Sequence, residues 1–334
     1  MSMWLIVLPP EGAARQVGKQ LIPAMKNQAG GDNLKVFDCK KYLNAYRKLL
    51  RDPSEDMVAD LANQSLIIQC LEFEATHLLV LALSPVTLFT LNLLRKQGLV
   101  TIHWFFEDYR VAGYWRDVIT GYDYFLGIQR GELMEFCRRS RTFFHFLPAA
   151  AGNEHSPLPA VAGGDQKSDL VFVGIPSPYR ISALEALAAS GRSLLIAGSQ
   201  WDEYNGPLKR FIVQGSWVTE DRAFGLYRQA KIGLNLSVFD PGADRNNTHV
   251  SPRVFNILLS CLVLLTEEVA LLKETLDGFH YHSFHSVQDL VKMTGEVLSR
   301  FPDYQKDCAD NRSGVLARHT YQMRARQIVE LTRK

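Results

Sequence analysis

Cysteine is scarce in this chain and net charge is nearly absent. The five cysteines among 334 residues, Cys39, Cys70, Cys137, Cys261 and Cys308, are widely scattered, form no CxxC pair and leave an odd count. No disulfide framework fits that pattern, and a reducing cytoplasm is the simplest setting. Lys and Arg number 37 against 35 Asp and Glu, a formal charge of +2 that is too small to argue for nucleic acid or an anionic membrane as partner. Long apolar runs are missing too. The nearest, Leu78 to Leu94, is broken by Ser84-Pro85 and wetted by Thr87, Thr90 and Asn92, so no transmembrane segment is expected. Met3 to Leu8 has no basic lead-in, is too short for a signal h-region and runs into Pro9-Pro10, so it reads as a first strand. There is no P-loop, GxSxG elbow, HExxH or GxGxxG fingerprint, and no internal repeat or low-complexity tract.

What is present is ordinary globular material. Hydrophobic residues make up 47% and charged residues 22%, enough apolar side chain for two cores in a chain too long for one. Short apolar runs alternate with amphipathic stretches, the mark of βαβ units and parallel sheets. In the first half the expected strands are Trp4-Leu8, Lys35-Asp38, His77-Leu83, Val100-Trp104, Tyr124-Gly127 and Thr142-Phe146. Crossover helices are expected over Met57 to Phe73 and over Pro85 to Lys96, the latter with Ser84 as cap and Pro85 as first residue. Ala149 to Lys167 is rich in Ala, Gly and Pro and reads as a linker. The alternation then restarts, with strands Asp169-Val173, Ser193-Ala197, Phe211-Val213, Ile232-Asn235 and Leu262-Leu265. Helices are expected over Ile181-Ser190, Glu220-Gln229 and Pro252-Ser260, and helices dominate after Ser286. The expected fold class is α/β, with two Rossmann-like domains whose parallel sheets face a central cleft. The domains run 1–148 and 168–334, joined by a linker over 149–167, with the C-terminal helix a candidate to pack back on the first domain. Open parallel sheets bind ligands at the carboxyl ends of their strands, which gives a place but no chemistry.

Three segments offer chemistry. In THVSPRVFNILLSCLVLLT, Thr248 to Thr266, Ser251 can cap a helix that starts at Pro252, and its first-turn N–H groups together with Arg253 favour a phosphate. The plain alternative is a capped helix with an arginine facing solvent. In VFVGIPSPYR, Gly174 ends a buried strand and Arg180 sits near a helix start; Ala197-Gly198 repeats the strand-then-glycine pattern, and either glycine alone reads equally as a turn. HWFFEDYR places Glu107 and Asp108 just past a strand end, where either can act as general base or orient a hydroxyl, or merely cap and salt-bridge. His280, His282 and His285 lack an accompanying Cys or well-placed carboxylate and read as surface histidines, so no metal is expected.

Taken in order, these pieces resemble the CgeB-like, or spore-maturation-protein-like, glycosyltransferases. HLLVLALSP and LVTIHWFFEDYR are similar to the family's N-terminal strand, helix and acidic turn; YDYFLGIQRGEL and FHFLPAAAGNEHSP to its last N-domain strands and linker. DLVFVGIPSPYRISALEAL, LLIAGSQW, VQGSWVTEDRAFGLYRQAKIGLNLS, SPRVFNILLSCLVLLTEE and ARHTYQMRARQIV resemble successive parts of its donor domain and C-terminal helix. The resemblance implies a GT-B architecture and metal-independent transfer of a sugar from a nucleoside diphosphate of the UDP or GDP type to a hydroxyl on a glycan, protein or small molecule. The family's kinship implies retention of anomeric configuration, and no cofactor is implied. Gly174, Arg180, Gly198, Ser251 and Arg253 would surround the diphosphate, Trp217 and Val218 would lie along the base, Asn235 would join the donor set, and Asn256 would lie near the ribose. Asp108, with Glu107, would face the acceptor, and Arg253 would stabilise the leaving charge. Two departures stand out: Asn256 replaces the family's Glu in its Arg-x-Phe-Glu unit, and Cys261 replaces a Gly. An amide cannot act as a carboxylate. A nucleotide-sugar-binding protein without turnover and a GT-B-type epimerase therefore stand as the alternatives.

Overall fold

The computed structural model describes residues 2–152, 167–240 and 248–333. The expected linker therefore lies largely outside the described residues. Among those described, the chain forms two units, Met1–Pro148 with Tyr321–Lys334, and Ala149–Thr320.

The first unit is built on strands β1 (Trp4–Leu8), β2 (Leu34–Asp38), β3 (His77–Leu81), β4 (Val100–Phe105), β5 (Tyr124–Gly127) and β6 (Phe143–Phe146), all parallel in the order β2-β1-β3-β4-β5-β6. Helices α1 (Gly12–Ala29), α2 (Cys39–Leu49), α3 (Glu55–Glu72), α4 (Leu88–Lys96), α5 (Trp115–Val118) and α6 (Glu132–Ser140) connect them. Every residue of β1, β3 and β4 is buried, as continuous apolar strands covered on both faces require.

The second unit repeats the plan with β7 (Ser168–Val173), β8 (Leu194–Ala197), β9 (Ile212–Gln214), β10 (Ala230–Asn235), β11 (Val263–Glu267) and β12 (His282–Phe284), again all parallel. Its helices are α7 (Pro178–Ala189), α8 (Glu220–Tyr227), α9 (Pro252–Leu259), α10 (Leu272–Thr275), α11 (Val287–Ser299), α12 (Phe301–Gln305) and α13 (Cys308–Arg318). The strand order β12-β11-β10-β7-β8-β9 is the doubly wound order of dinucleotide-binding sheets. Its switch point, where the connections turn in opposite directions, falls between β7 and β10. α9 can lie close over the sheet there because β10 carries Gly233, where a Cβ would stand 2.5 Å from Ile257 of α9.

One expectation shifts. The helix expected from Pro85 starts at Leu88, capped by Thr87, whose hydroxyl accepts from Thr90 N–H at 3.2 Å. Ser84 is instead part of a tight turn after β3: Leu83 takes a left-handed φ of 62°, and the Ser84 hydroxyl donates to the Val7 carbonyl at 3.3 Å. The last helix, α14 (Tyr321–Leu331), which the sequence reading made a candidate to pack back on the first domain, groups with the first unit. It lies along α1 and buries Ala325, Ile328 and Val329. Arg324 Nε donates to the Pro148 carbonyl at 2.6 Å, and the Thr332 carbonyl meets His77 Nε2 at 3.2 Å. Deleting residues 321–334 should therefore destabilise the first unit by on the order of 4 kcal/mol, from the apolar burial of Ile328 and Val329 alone. Urea unfolding of the truncated chain checks this; an unchanged midpoint would show that α14 contributes nothing to the first unit.

Candidate functional site

The carboxyl ends of β7 and β10 meet at the switch point of the second sheet, and two glycines let the neighbouring chain come close. Gly174 follows β7 and donates to the Ala197 carbonyl at 2.8 Å; Gly198 follows β8 and donates to the Gln214 carbonyl at 3.1 Å. A Cβ on Gly198, whose φ is +148°, would sit 2.2 Å from the Gly174 oxygen, so no side chain fits there. The buried Trp201 indole N–H holds the same oxygen at 2.7 Å.

Arg253 enters this corner from the first turn of α9. Its Nε donates to the Val173 carbonyl at 2.7 Å, and its Nη1 donates to Asn235 Oδ1 at 2.9 Å and the Leu236 carbonyl at 3.2 Å. Its guanidinium carbon stands 5.0 Å from the centre of the Phe172 ring. Asn235 is oriented in turn, because its Nδ2 donates to Thr266 Oγ1 at 2.9 Å. The guanidinium is thus fixed through Nε and Nη1, while Nη2 has no partner among the described residues and lies 2.8 Å from where a Gly174 Cβ would be. Glycine at 174 keeps open the space into which Nη2 points. Burial lowers the Arg253 pKa, with Tyr227 and Glu267 acting the other way.

The first-turn N–H groups of α9, expected to share an anion with Arg253, are largely taken. Pro252 has none, Arg253 N–H donates to Ser251 Oγ at 3.3 Å, and Val254 N–H to the Ser251 carbonyl at 3.1 Å. The corner is a guanidinium site in which Ser251 caps the helix.

Arg180 is placed differently from its sequence reading. It is 5% exposed, and its guanidinium donates to the Leu236 carbonyl at 2.8 and 3.1 Å, Ser237 at 3.0 Å and Ile175 at 3.0 Å. These bonds tie the chain beyond β10 to the chain beyond β7. Burial, and then the charge of Arg253, push its pKa down to about 9. Glu267, which sequence reasoning did not single out, is 1% exposed at the end of β11 and accepts the Ser237 N–H with both oxygens at 2.8 Å. Burial raises its pKa, while Ser237 and Arg180 restrain the rise. Two guanidiniums, Arg180 and Arg253, act on the Glu267 carboxylate here. The signal for Glu267 was present in the sequence as an acid directly after an apolar strand.

The remaining expected donor residues lie further along the same unit. Trp217 is 52% exposed on the loop between β9 and α8, with half-buried Val218 beside it; its carbonyl accepts from Gln214 Nε2 at 2.6 Å. Asn256 is half-buried, and its Oδ1 accepts the Gly152 N–H at 3.0 Å.

In the first unit the acidic pair after β4 divides sharply. Asp108 is buried and locked: Arg110 Nε reaches both its oxygens at 2.9 and 3.1 Å, and Arg110 N–H donates to Oδ1 at 3.0 Å. Gln129 Nε2 adds a long contact at 3.4 Å. Glu107 is half-buried, and no hydrogen bond or ion pair from another described residue reaches its carboxyl. Burial, then the charge of Asp108, push its pKa up to about 7. Beside it stands the Tyr114 hydroxyl, which accepts Leu83 N–H at 2.8 Å and meets His103 Nε2 at 3.2 Å.

Residues 180–330 match the sequence profile of the family described as Glycosyl transferase-like. No curated protein matches the chain. Among solved structures, it is similar to a glycosyltransferase from Rickettsia africae ESF-5, with a TM-score of 0.66 and 10% identity over 99% of this chain and 97% of that one. A sucrose-phosphate synthase from Thermosynechococcus elongatus gives 0.64 at 12% identity over 99% and 98% of the two chains. Anabaena HepE, solved in complex with UDP and glucose, gives 0.65 at 11% over 98% and 99%. At such identities the structural likeness establishes the fold, which is GT-B, and the profile match over 180–330 supports a transferase enzyme of the glycosyl class.

Proposed function

We propose that the protein transfers a sugar from a nucleoside diphosphate to a hydroxyl acceptor in the cytoplasm, without a metal or other cofactor, as a CgeB-like glycosyltransferase. The observation that carries this reading is the Arg253 guanidinium, held through Nε and Nη1 by Val173, Asn235 and Leu236, with Nη2 unpartnered among the described residues and aimed over Gly174. A guanidinium with its Nη2 left to donate suits a phosphate oxygen. The Arg253 charge at that corner supports a departing diphosphate in place of a metal ion. UDP as the ligand bound by the HepE relative supports a nucleotide-sugar donor, of UDP or GDP type. The acceptor is a glycan, a protein or a small molecule.

The reading without turnover keeps one observation in its favour, since Asn256 is a neutral amide whose oxygen is already taken by Gly152. Incubation with UDP- and GDP-sugars separates the two: nucleoside diphosphate released together with a transferred sugar supports the enzyme, while binding alone supports the second reading.

UDP or GDP should raise Tm by mass action on the folded state, and EDTA should leave the shift intact. A shift abolished by EDTA would contradict the metal-free reading. Arg253→Ala should weaken diphosphate binding by about 1.5 to 3 kcal/mol, the usual worth of a charge-assisted hydrogen bond, with Lys restoring only part of it. Because Arg253 also braces two strand ends, Asn235→Ala supplies a milder probe. It leaves the charge in place, frees the fork, and should weaken binding by about 1 kcal/mol in the same titration. Unchanged affinity in both variants would move the donor site elsewhere.

A further inference from the structure

Helix α9 is buried along most of its length, and only Pro252, Arg253 and Asn256 are left half-buried. Arg253 and Asn256 lie one turn apart on the same face, about 4.5 Å along the helix axis. The pentose of a nucleoside diphosphate is joined to its phosphates through one oxygen and one methylene. A diphosphate on Arg253 therefore brings a vicinal diol toward Asn256. Asn256 is poorly suited to receive it, because its Oδ1 holds the Gly152 N–H at 3.0 Å and an amide carries no charge.

A carboxylate reaches the same place from α8. Glu220 is the first residue of that helix, follows the capping Thr219, and is half-buried while Asp221 beside it is exposed. A Cβ on Gly152 would overlap the Glu220 carboxyl, so the carboxyl packs directly on the glycine whose N–H Asn256 holds. One residue without a side chain thus brings an acid beside the open face of α9. Tyr227, two turns along α8 and 2% exposed, gives a second link. Burial pushes its hydroxyl up to about 12, with the charge of Arg253 opposing the rise and that of Glu220 adding to it, so the ring lies within electrostatic reach of both. An acid in a first helical turn is favoured by the helix dipole, but the dipole does not require its side chain to turn onto Gly152.

Resting on the donor reading above, we propose that Glu220 binds the ribose diol and so makes the site selective for ribonucleoside diphosphates over their 2′-deoxy counterparts. A carboxylate offers about four acceptor positions, so a bond within the protein leaves others for the two hydroxyls. A donor that lacks the 2′-hydroxyl leaves one of those positions desolvated and unmet, which costs more than the bond alone. Gly152 keeps the space that the carboxyl occupies, and Asn256 is the positioning residue that holds the Gly152 backbone.

Calorimetric titration of the full-length protein with UDP, GDP and their 2′-deoxy forms tests the assignment. The parent should bind the tighter of UDP and GDP about 10- to 100-fold better than its deoxy form. Glu220→Ala should bring the ribose form down to the affinity of the deoxy form, which itself stays where it is. Gly152→Ala keeps the charge but displaces the carboxyl, and should lose the discrimination in the same way. A merely structural Glu220 would lower Tm or weaken both forms alike. A parent that binds both forms equally, or variants that keep the full discrimination, overturns the role of Glu220 while leaving the donor site standing. A parent that binds neither UDP nor GDP overturns the donor reading and the ribose contact with it.

Discussion

Everything at the switch point depends on holding one half-buried guanidinium in a single orientation. Arg253 crosses from α9 to the end of β7, where the Val173 carbonyl and the Asn235 amide fix it from two directions. Neither contact forms unless β7 and β10 are neighbours, and the doubly wound strand order makes them so. The glycines follow from the same constraint. A side chain at 174 would fill the space ahead of Nη2, and one at 198 would collide with the backbone of 174. Gly233 lets α9 approach the sheet closely enough for Arg253 to reach across.

Arg180 and Glu267 make that arrangement sustainable. A lone guanidinium at Arg253 would leave the carbonyls beyond β10 competing for a single donor set. Arg180 takes the Leu236 and Ser237 carbonyls and so rigidifies the segment against which Arg253 is braced, while Glu267 holds the Ser237 N–H from the other side. The two arginines also repel, which is one reason why the Arg180 pKa falls to about 9 after burial has lowered it. The single carboxylate offsets part of that repulsion, and an arriving anion would offset the rest.

The sheets were legible in the sequence because each strand is a short apolar run closed by Gly, Pro or a polar residue, and β1, β3 and β4 are as uniformly buried as such runs demand. β12, His282–Phe284, was not, because three residues at a sheet edge carry too little pattern. The helix start at Leu88 escaped for a different reason: Ser84-Pro85 and Thr87 are both good entry signals, and only the tertiary bond from Ser84 to the Val7 carbonyl decides between them. Arg253 was legible as a cation in a capped first turn. That its neighbour Arg180 braces carbonyls was not, since an arginine near a helix start reads the same whether its partners are phosphate or backbone. Likewise HWFFEDYR advertises two acids, and nothing in the sequence says that Arg110 closes on Asp108 and leaves Glu107 alone.

Three carboxylates near strand ends sit in three environments. Glu267 is the deepest, yet two hydrogen bonds from one backbone N–H and a nearby arginine give it a structural purpose. Asp108 is almost as buried and is matched by a guanidinium in bidentate geometry, which makes it rigid and chemically quiet. Glu107 is only half-buried, and burial, then the charge of Asp108, push its pKa up to about 7, so its ionised form works against folding at neutral pH.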